Sequence, residues 1–482
     1  MTYRLLAALP LLLLLLPTCT DNFEELNTNE NAPSRVEPEL LLRQVLYGYG
    51  DDMSYEGFVA GNLLSQHFAM IDFNLFDRHA LSSPQEGGNP WDILYQNLRD
   101  TETILEEARS NPARQVYEGP ALVLKAYLAM TLTDLFGDVP FFTAFRGRSA
   151  GLVTPAYDAQ EDIYLAQGGI LDLLETAVTV MEADGGTQPL RGDILFNGDL
   201  AGYIRFANSL RIKALLRISG RQDVAAQLQA LYDAGNYIRE SEQNATFDFT
   251  DGPPNSFAFA TARIGIFNVF LMSETADSIL NRYEHPLQSV LYRPSENAFR
   301  FRGIRNGIDA SSAIVPDDFS RPGPIFREQT GRLDFNYLTA WETNFLLAEA
   351  ALRGYITAEP APLFLEALRQ SVGYWGEAGS DEDYLNLRLE AFEAASPADR
   401  LRDVISLKWV ASIGNGYEGW TEWRRTGYPE LLPVAASLNE GRYPVRMPYP
   451  ADEQALNAEN YSQAAGATDG NSINVPVWWD VD

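Results

Sequence analysis

Glu418 and Glu422 stand four residues apart, a spacing that on a helix puts two carboxylates on one face, and Trp420 and Trp423 flank them. Paired carboxylates beside sugar-stacking tryptophans are the equipment of a glycosidase, one carboxyl acting as acid and the other as base or nucleophile. Against that reading, Arg424 and Arg425 come directly after and are close enough to neutralise both acids, and tryptophans at i and i+3 on a helix commonly form a buried seam. A Gly-x-Gly-x-x-Gly match occurs at Gly414, Gly416 and Gly419, with Glu440 about where a ribose-binding acid would stand. Its surroundings are wrong for a dinucleotide: Asp399 to Ile413 reads as helix, Pro429 and Pro433 interrupt the segment after the glycines, and Glu418 would face the pyrophosphate. A glycine turn ending a helix accounts for it. His67, His79 and His285 are not spaced as metal ligands, and there is neither a phosphate-loop Gly-Lys pair nor a Gly-x-Ser-x-Gly elbow. No cofactor, metal or catalytic residue is expected.

The 482 residues carry 36 Lys plus Arg against 66 Asp plus Glu, a net charge of −30, which excludes nucleic acid as a default partner because phosphate binding needs a basic surface. Only Lys125, Lys213 and Lys408 are lysines, so cationic chemistry falls to arginine, whose planar fork suits paired or buried sites. The single cysteine, Cys19, can form no intramolecular disulfide. It comes after Arg4 and an apolar stretch from Leu5 to Leu16, which is too short to span a bilayer and reads as a signal peptide over residues 1–18. Leu16-Pro17-Thr18-Cys19 resembles a bacterial lipobox, making Cys19 the expected lipidation site. Residues 19–38, rich in Asn, Glu and Pro, read as a tether.

Helical periodicity dominates residues 39–243: Leu40 to Tyr49, Glu56 to Phe68, Trp91 to Arg109, Ala113 to Phe136, Glu161 to Met181, Ala201 to Ile218 and Arg221 to Ala234. Glycine and proline breaks pair these segments into hairpins, and Ala121, Ala126 and Ala129 allow the close approach of a tetratricopeptide array. Residues 244–338 lose the helical period and become a long irregular stretch of Gly, Pro, Asn, Asp and aromatics. The period returns over 339–413 in Trp341 to Arg353, Ala361 to Trp375, Asp383 to Ala394 and Asp399 to Ile413, before an aromatic, proline-rich tail, 414–482. The expected fold is mainly α, a tetratricopeptide-like helical-hairpin scaffold with an irregular, loop-rich inserted subdomain.

Several segments, in order, resemble the SusD/RagB family of outer-membrane nutrient-binding lipoproteins. They are Cys19 with the tether Phe23 to Pro33, Trp91 to Tyr95, Asp134 to Pro140, Asn197-Gly198-Asp199-Leu200, Phe206 to Arg211, Phe345 to Gly354, Tyr417 to Pro429, Pro448-Tyr449-Pro450 and Trp478-Trp479-Asp480. The resemblance spans nearly the whole chain, with 39–482 as one SusD-like domain. It implies a lipid-anchored cell-surface protein that caps a SusC-like TonB-dependent transporter as a lid and delivers oligosaccharide or a similar nutrient without catalysis. The family motifs at Trp423, Trp478 and Trp479 are then expected in packing or transporter contact.

The residues themselves agree with a glycan platform. Phe68 to Trp91 and Tyr283 to Phe301 hold aromatics outside helical period, and sugars stack their flat C–H faces on such rings while Asn, Asp and Arg bond the hydroxyls. Phe73, Phe76, His79, Trp91 and Tyr292 are the expected ligand contacts, with about half of the loop aromatics expected to anchor in the core. A helical adaptor that binds only protein, and a glycosidase, stay open beside the binding reading. Exposed loop aromatics separate the first, and a water-accessible carboxylate pair free of arginine would favour the second.

Overall fold

The computed structural model describes residues 36–81, 88, 90–184, 188–309, 311–376 and 382–481. Cys19, the signal peptide and nearly all of the tether lie outside them. Pro38–Asp482 forms one unit.

Helices α1 (Pro38–Glu56), α2 (Pro90–Ser110), α3 (Glu118–Phe136), α4 (Ile170–Asp184) and α5 (Leu200–Arg217) pack successively against one another. In α2 the buried Trp91, Leu94, Leu98, Thr101, Leu105 and Ala108 recur every three or four residues, the stripe that drives a helix onto its neighbours. In α3 nearly every side chain is buried, so this helix is the centre of the array. A second group, α6 (Ala340–Leu352), α7 (Pro360–Trp375), α8 (Glu382–Ala394) and α9 (Pro397–Ala411), joins the first where α6 packs on α5. Asp199, Thr339 and Ser396 start α5, α6 and α9 by accepting hydrogen bonds from first-turn amides.

Three expectations change. The two segments expected at the start of the array are one continuous run: α1 passes into a π-helical turn, Gly57–Gly61, and a final α turn, Asn62–Leu64, because no proline separates them and Gly50 is buried within the helix. The irregular stretch is more ordered than its period implies. It holds the helix Glu274–Arg282 and takes part in three two-stranded antiparallel ribbons. Those ribbons pair Phe68–Met70 with Phe270–Met272, Ala245–Asp248 with Asp334–Leu338, and Tyr292–Arg293 with Arg321–Pro322. Strands this short show no alternation to read. The tail also folds: it opens with α10 (Gly416–Thr426), continues to helices Ala451–Leu456 and Ala458–Ala467, and buries Trp479.

The glycine run has a packing role. Asn415 caps α10, and a Cβ at Gly61 would lie 2.4 Å from the backbone nitrogen of Tyr417, so the π-helical turn and the start of α10 touch backbone to backbone.

Candidate functional site

Beside the π-helical turn lies a cleft of about 770 Å³. Its walls come from Tyr55, Val59 and Leu63 on the helix, Met70 at the end of the first strand, Phe76, and Val269 and Phe270 from the irregular region. π-Helical turns inside longer helices recur at functional sites. Phe58, on the same turn, meets Phe68, Phe257, Phe259, Phe270 and Phe326 at ring-centroid distances of 4.8 to 5.8 Å, an aromatic mass that backs the cleft.

The rim is apolar and open. Phe73 is 77% exposed, with Leu75 and Ile266 exposed beside the same cleft. Phe73 also has φ of 51°, the left-handed region that costs a bulky residue energy, and its amide donates to Asp72 Oδ1 at 2.9 Å.

The segment 71–80 that carries this ring is tied down from several directions. Asn74 Nδ2 donates to the Ile308 carbonyl at 2.7 Å, Arg78 Nε to that of Ala436 at 2.9 Å, and His79 Nδ1 to that of Arg442 at 3.1 Å. Buried Asp77 accepts from Gly307 N at 2.7 Å, Asn306 Nδ2 at 2.6 Å and Met70 N at 3.1 Å. Burial pushes the Asp77 carboxyl up to about 6 against the pull of those three donors.

The carboxylate pair has a different surrounding. Glu418 meets Lys213 at 3.0 Å and Arg217 at 2.9 Å, while Glu422 meets Arg217 at 2.5 Å, Lys408 at 2.9 Å and Arg425 at 2.6 Å. Burial alone would raise both acids, but the cations outweigh it and hold both below the usual range. Neither carboxyl has the raised affinity for a proton that a general acid needs. Arg424 is not a neutraliser as expected: it donates to the carbonyls of Asp134 and Val445 and stacks on Trp420 at 3.9 Å.

A family described as "Starch-binding associating with outer membrane", SusD-like_2, matches residues 30–450. The chain belongs to this SusD-like family. A chitin-binding protein aligns with TM-score 0.79 at 24% identity, over 92% of this chain and 100% of its own. A SusD homologue from Bacteroides fragilis aligns with TM-score 0.79 at 19% identity over 92% and 100%. A chitin-binding SusD homologue from Flavobacterium johnsoniae gives 0.76 at 22% over 92% and 98%. These likenesses establish a SusD fold. No curated protein sequence matches the chain.

Within this SusD-like scaffold the five expected ligand residues separate. Phe73 and Phe76 share the cleft, Phe73 at its rim and Phe76 as a buried wall. His79 is buried behind it against Tyr443, ring centroids 5.1 Å apart. Trp91 is only 5% exposed and packs on Tyr95, Phe136 and Tyr449, plugging the helical array. Tyr292 is 1% exposed, its hydroxyl donating to the His67 carbonyl at 2.8 Å, so it offers no face to a ligand. Ile266, Val269 and Phe270 were missed, although the Ile264-Gly265-Ile266 run in a polar, irregular stretch is a visible signal. Trp479 belongs to packing: its Nε1 donates to Asp134 Oδ1 at 2.8 Å.

Proposed function

We infer that the protein binds oligosaccharide at the cell surface and hands it to a SusC-like TonB-dependent outer-membrane transporter, held to the membrane through a lipidated Cys19. The observation that carries the binding reading is the cleft of about 770 Å³ with Phe73 standing exposed at its mouth on a braced loop. Concave sites of this size lined by carbon, with a few polar groups, are typical of small-ligand binding. Membership in a family described as starch-binding, and likeness to chitin-binding proteins, support a carbohydrate as the ligand. Catalysis has no support from the Glu418–Glu422 pair, whose carboxylates are taken up by lysine and arginine.

The test is calorimetry of the mature protein with malto- and chito-oligosaccharides, alongside co-purification with an outer-membrane transporter. Saturable binding that weakens in Phe73→Ala supports the reading. An absence of binding to both series sinks it. Mass spectrometry of the membrane fraction checks the anchor, an unmodified Cys19 or another N-terminus refuting it.

A further inference from the structure

The cleft's chemistry says which part of a sugar it would hold. Its walls are mostly carbon: Val59, Leu63, Met70, Phe76, Val269 and Phe270, with the phenol of Tyr55 beside them. Asp72, Asn74 and Arg78 are its only charged or amide-bearing lining side chains among the described residues. Part of the bonding capacity of each is spent on the protein itself. Asn74 Nδ2 donates to Ile308 O, Arg78 Nε donates to Ala436 O with Nη2 3.5 Å from Asp309, and Asp72 Oδ1 accepts from the Phe73 amide.

A bare sugar ring pressed against the carbon of Met70, Phe76 and Phe270 would turn hydroxyls toward side chains that cannot bond them, at roughly 1–3 kcal/mol for each one buried. An apolar group loses nothing there and gains the burial. An apolar cavity of about 150 Å³ already accepts benzene, so one of about 770 Å³ has room for an acyl or aryl group together with part of its sugar. Charge narrows the class further. Among the described residues the one cation lining the cleft, Arg78, is paired, and the protein's net charge is −30, so an anionic sugar is disfavoured.

We propose that the cleft recognises a neutral oligosaccharide through an apolar substituent, an O-acyl group that seats against Met70, Phe76 and Phe270 while the sugar chain stays at the rim beside Phe73. This rests on the cleft being the oligosaccharide site.

The test uses hexamers of maltose, cellobiose and xylose type, each bare and partly O-acetylated at matched length, titrated calorimetrically into the full mature chain. At least one acetylated hexamer is expected to bind tenfold or more tighter than its bare form. Met70→Asn, at a half-buried wall position, and Ile266→Asn, at an exposed rim position, are expected to cut that preference to threefold or less. Equal affinity for bare and acetylated forms overturns the proposal and leaves oligosaccharide binding standing. A preference that survives both variants overturns the assignment to this cleft. Binding to no hexamer of either kind overturns the proposal, and the oligosaccharide reading falls with it only if the chito-oligosaccharides also fail to bind.

Discussion

The imidazole of His67 lies flat on the indole of Trp409, ring centroids 3.9 Å apart and planes 9° from parallel. Its Nε2–H donates to the Trp409 carbonyl at 2.7 Å, and Trp409 Nε1–H returns a bond to the Ser65 carbonyl at 3.0 Å. Two elements distant in sequence, the turn after the π-helix and the end of α9, are thereby locked. The lock suits a neutral imidazole, because a proton added here would be buried without a carboxylate to meet it.

Acid should therefore loosen the protein through its histidines. Burial lowers His67 and His285 from 6.5 to about 3, and His79 to about 4. An unfolded chain binds these three protons as pH falls through 6.5 while the folded protein refuses them. Their contribution is whole above pH 6.5 and drains as pH falls toward 3. Asp77, raised to about 6 by burial, and Asp334, raised to about 7 by burial and by Asp248, act with the opposite sign. Their contribution is full below 3.8 and fades as pH rises through those values. Asp51, Asp52 and Asp134 are raised by burial as well, so the histidine share is read by difference. In urea unfolding between pH 6 and 4, the midpoint of His79→Gln should gain on that of the parent as pH falls. A difference between the two midpoints that does not change with pH would refute the assignment.

The loop aromatics should divide by readout. Phe73→Ala should weaken oligosaccharide binding severalfold, about 1 kcal/mol for one stacked ring, with little change in unfolding. Trp91→Ala and Tyr292→Ala should each cost about 3–5 kcal/mol of stability, because both rings are enclosed. Calorimetry beside denaturant unfolding separates the two outcomes; a Trp91→Ala protein of unchanged stability would contradict the packing described.

That division marks where sequence reading stops. The periods of α2 and α5 sit in consecutive residues, so both helices are visible within a residue or two of their ends. Trp91 is not legible in the same way. A tryptophan after a glycine-rich loop suits either side of a helix, and what encloses it is Phe136 and Tyr449, brought by folding from elsewhere in the chain. Glu418 is similar: its local neighbours point to Arg424, whereas its cations, Lys213 and Arg217, arrive on α5. One wall of the cleft was hidden for the same reason, since Val269 and Phe270 join Val59 and Leu63 only through the pairing of Phe68–Met70 with Phe270–Met272.

One substitution should have opposite effects at two glycines. Gly61→Ala drives a methyl to within 2.4 Å of Tyr417 N and 2.7 Å of the Gly416 carbonyl carbon, backbone atoms that cannot rotate away. Separating the helices should cost about 1–3 kcal/mol. Gly466, in the helix Ala458–Ala467, has nothing within 4 Å of an added Cβ, so Gly466→Ala should be neutral or stabilising by up to about 1 kcal/mol. Thermal unfolding of both variants is the measurement, and equal shifts would contradict the close approach.

The buried charges of α5, α6, α9 and α10 give the last prediction. Glu422 holds Arg217, Lys408 and Arg425 together, and Arg425 also reaches Glu349 at 2.6 Å. Glu422→Gln keeps the shape but leaves three buried cations short of one negative charge, and removing one partner from such a set costs about 3–5 kcal/mol. The loss should persist in high salt, because screening ions do not reach a site with side-chain exposure of 5% or less. None of these residues lines the cleft, so the folded Glu422→Gln protein should bind oligosaccharide as the parent does. Unfolding in low and high salt, with calorimetry below the transition, tests both halves. If the variant kept its stability but lost a slow cleavage of the bound sugar, the carboxylate pair would be chemical equipment after all.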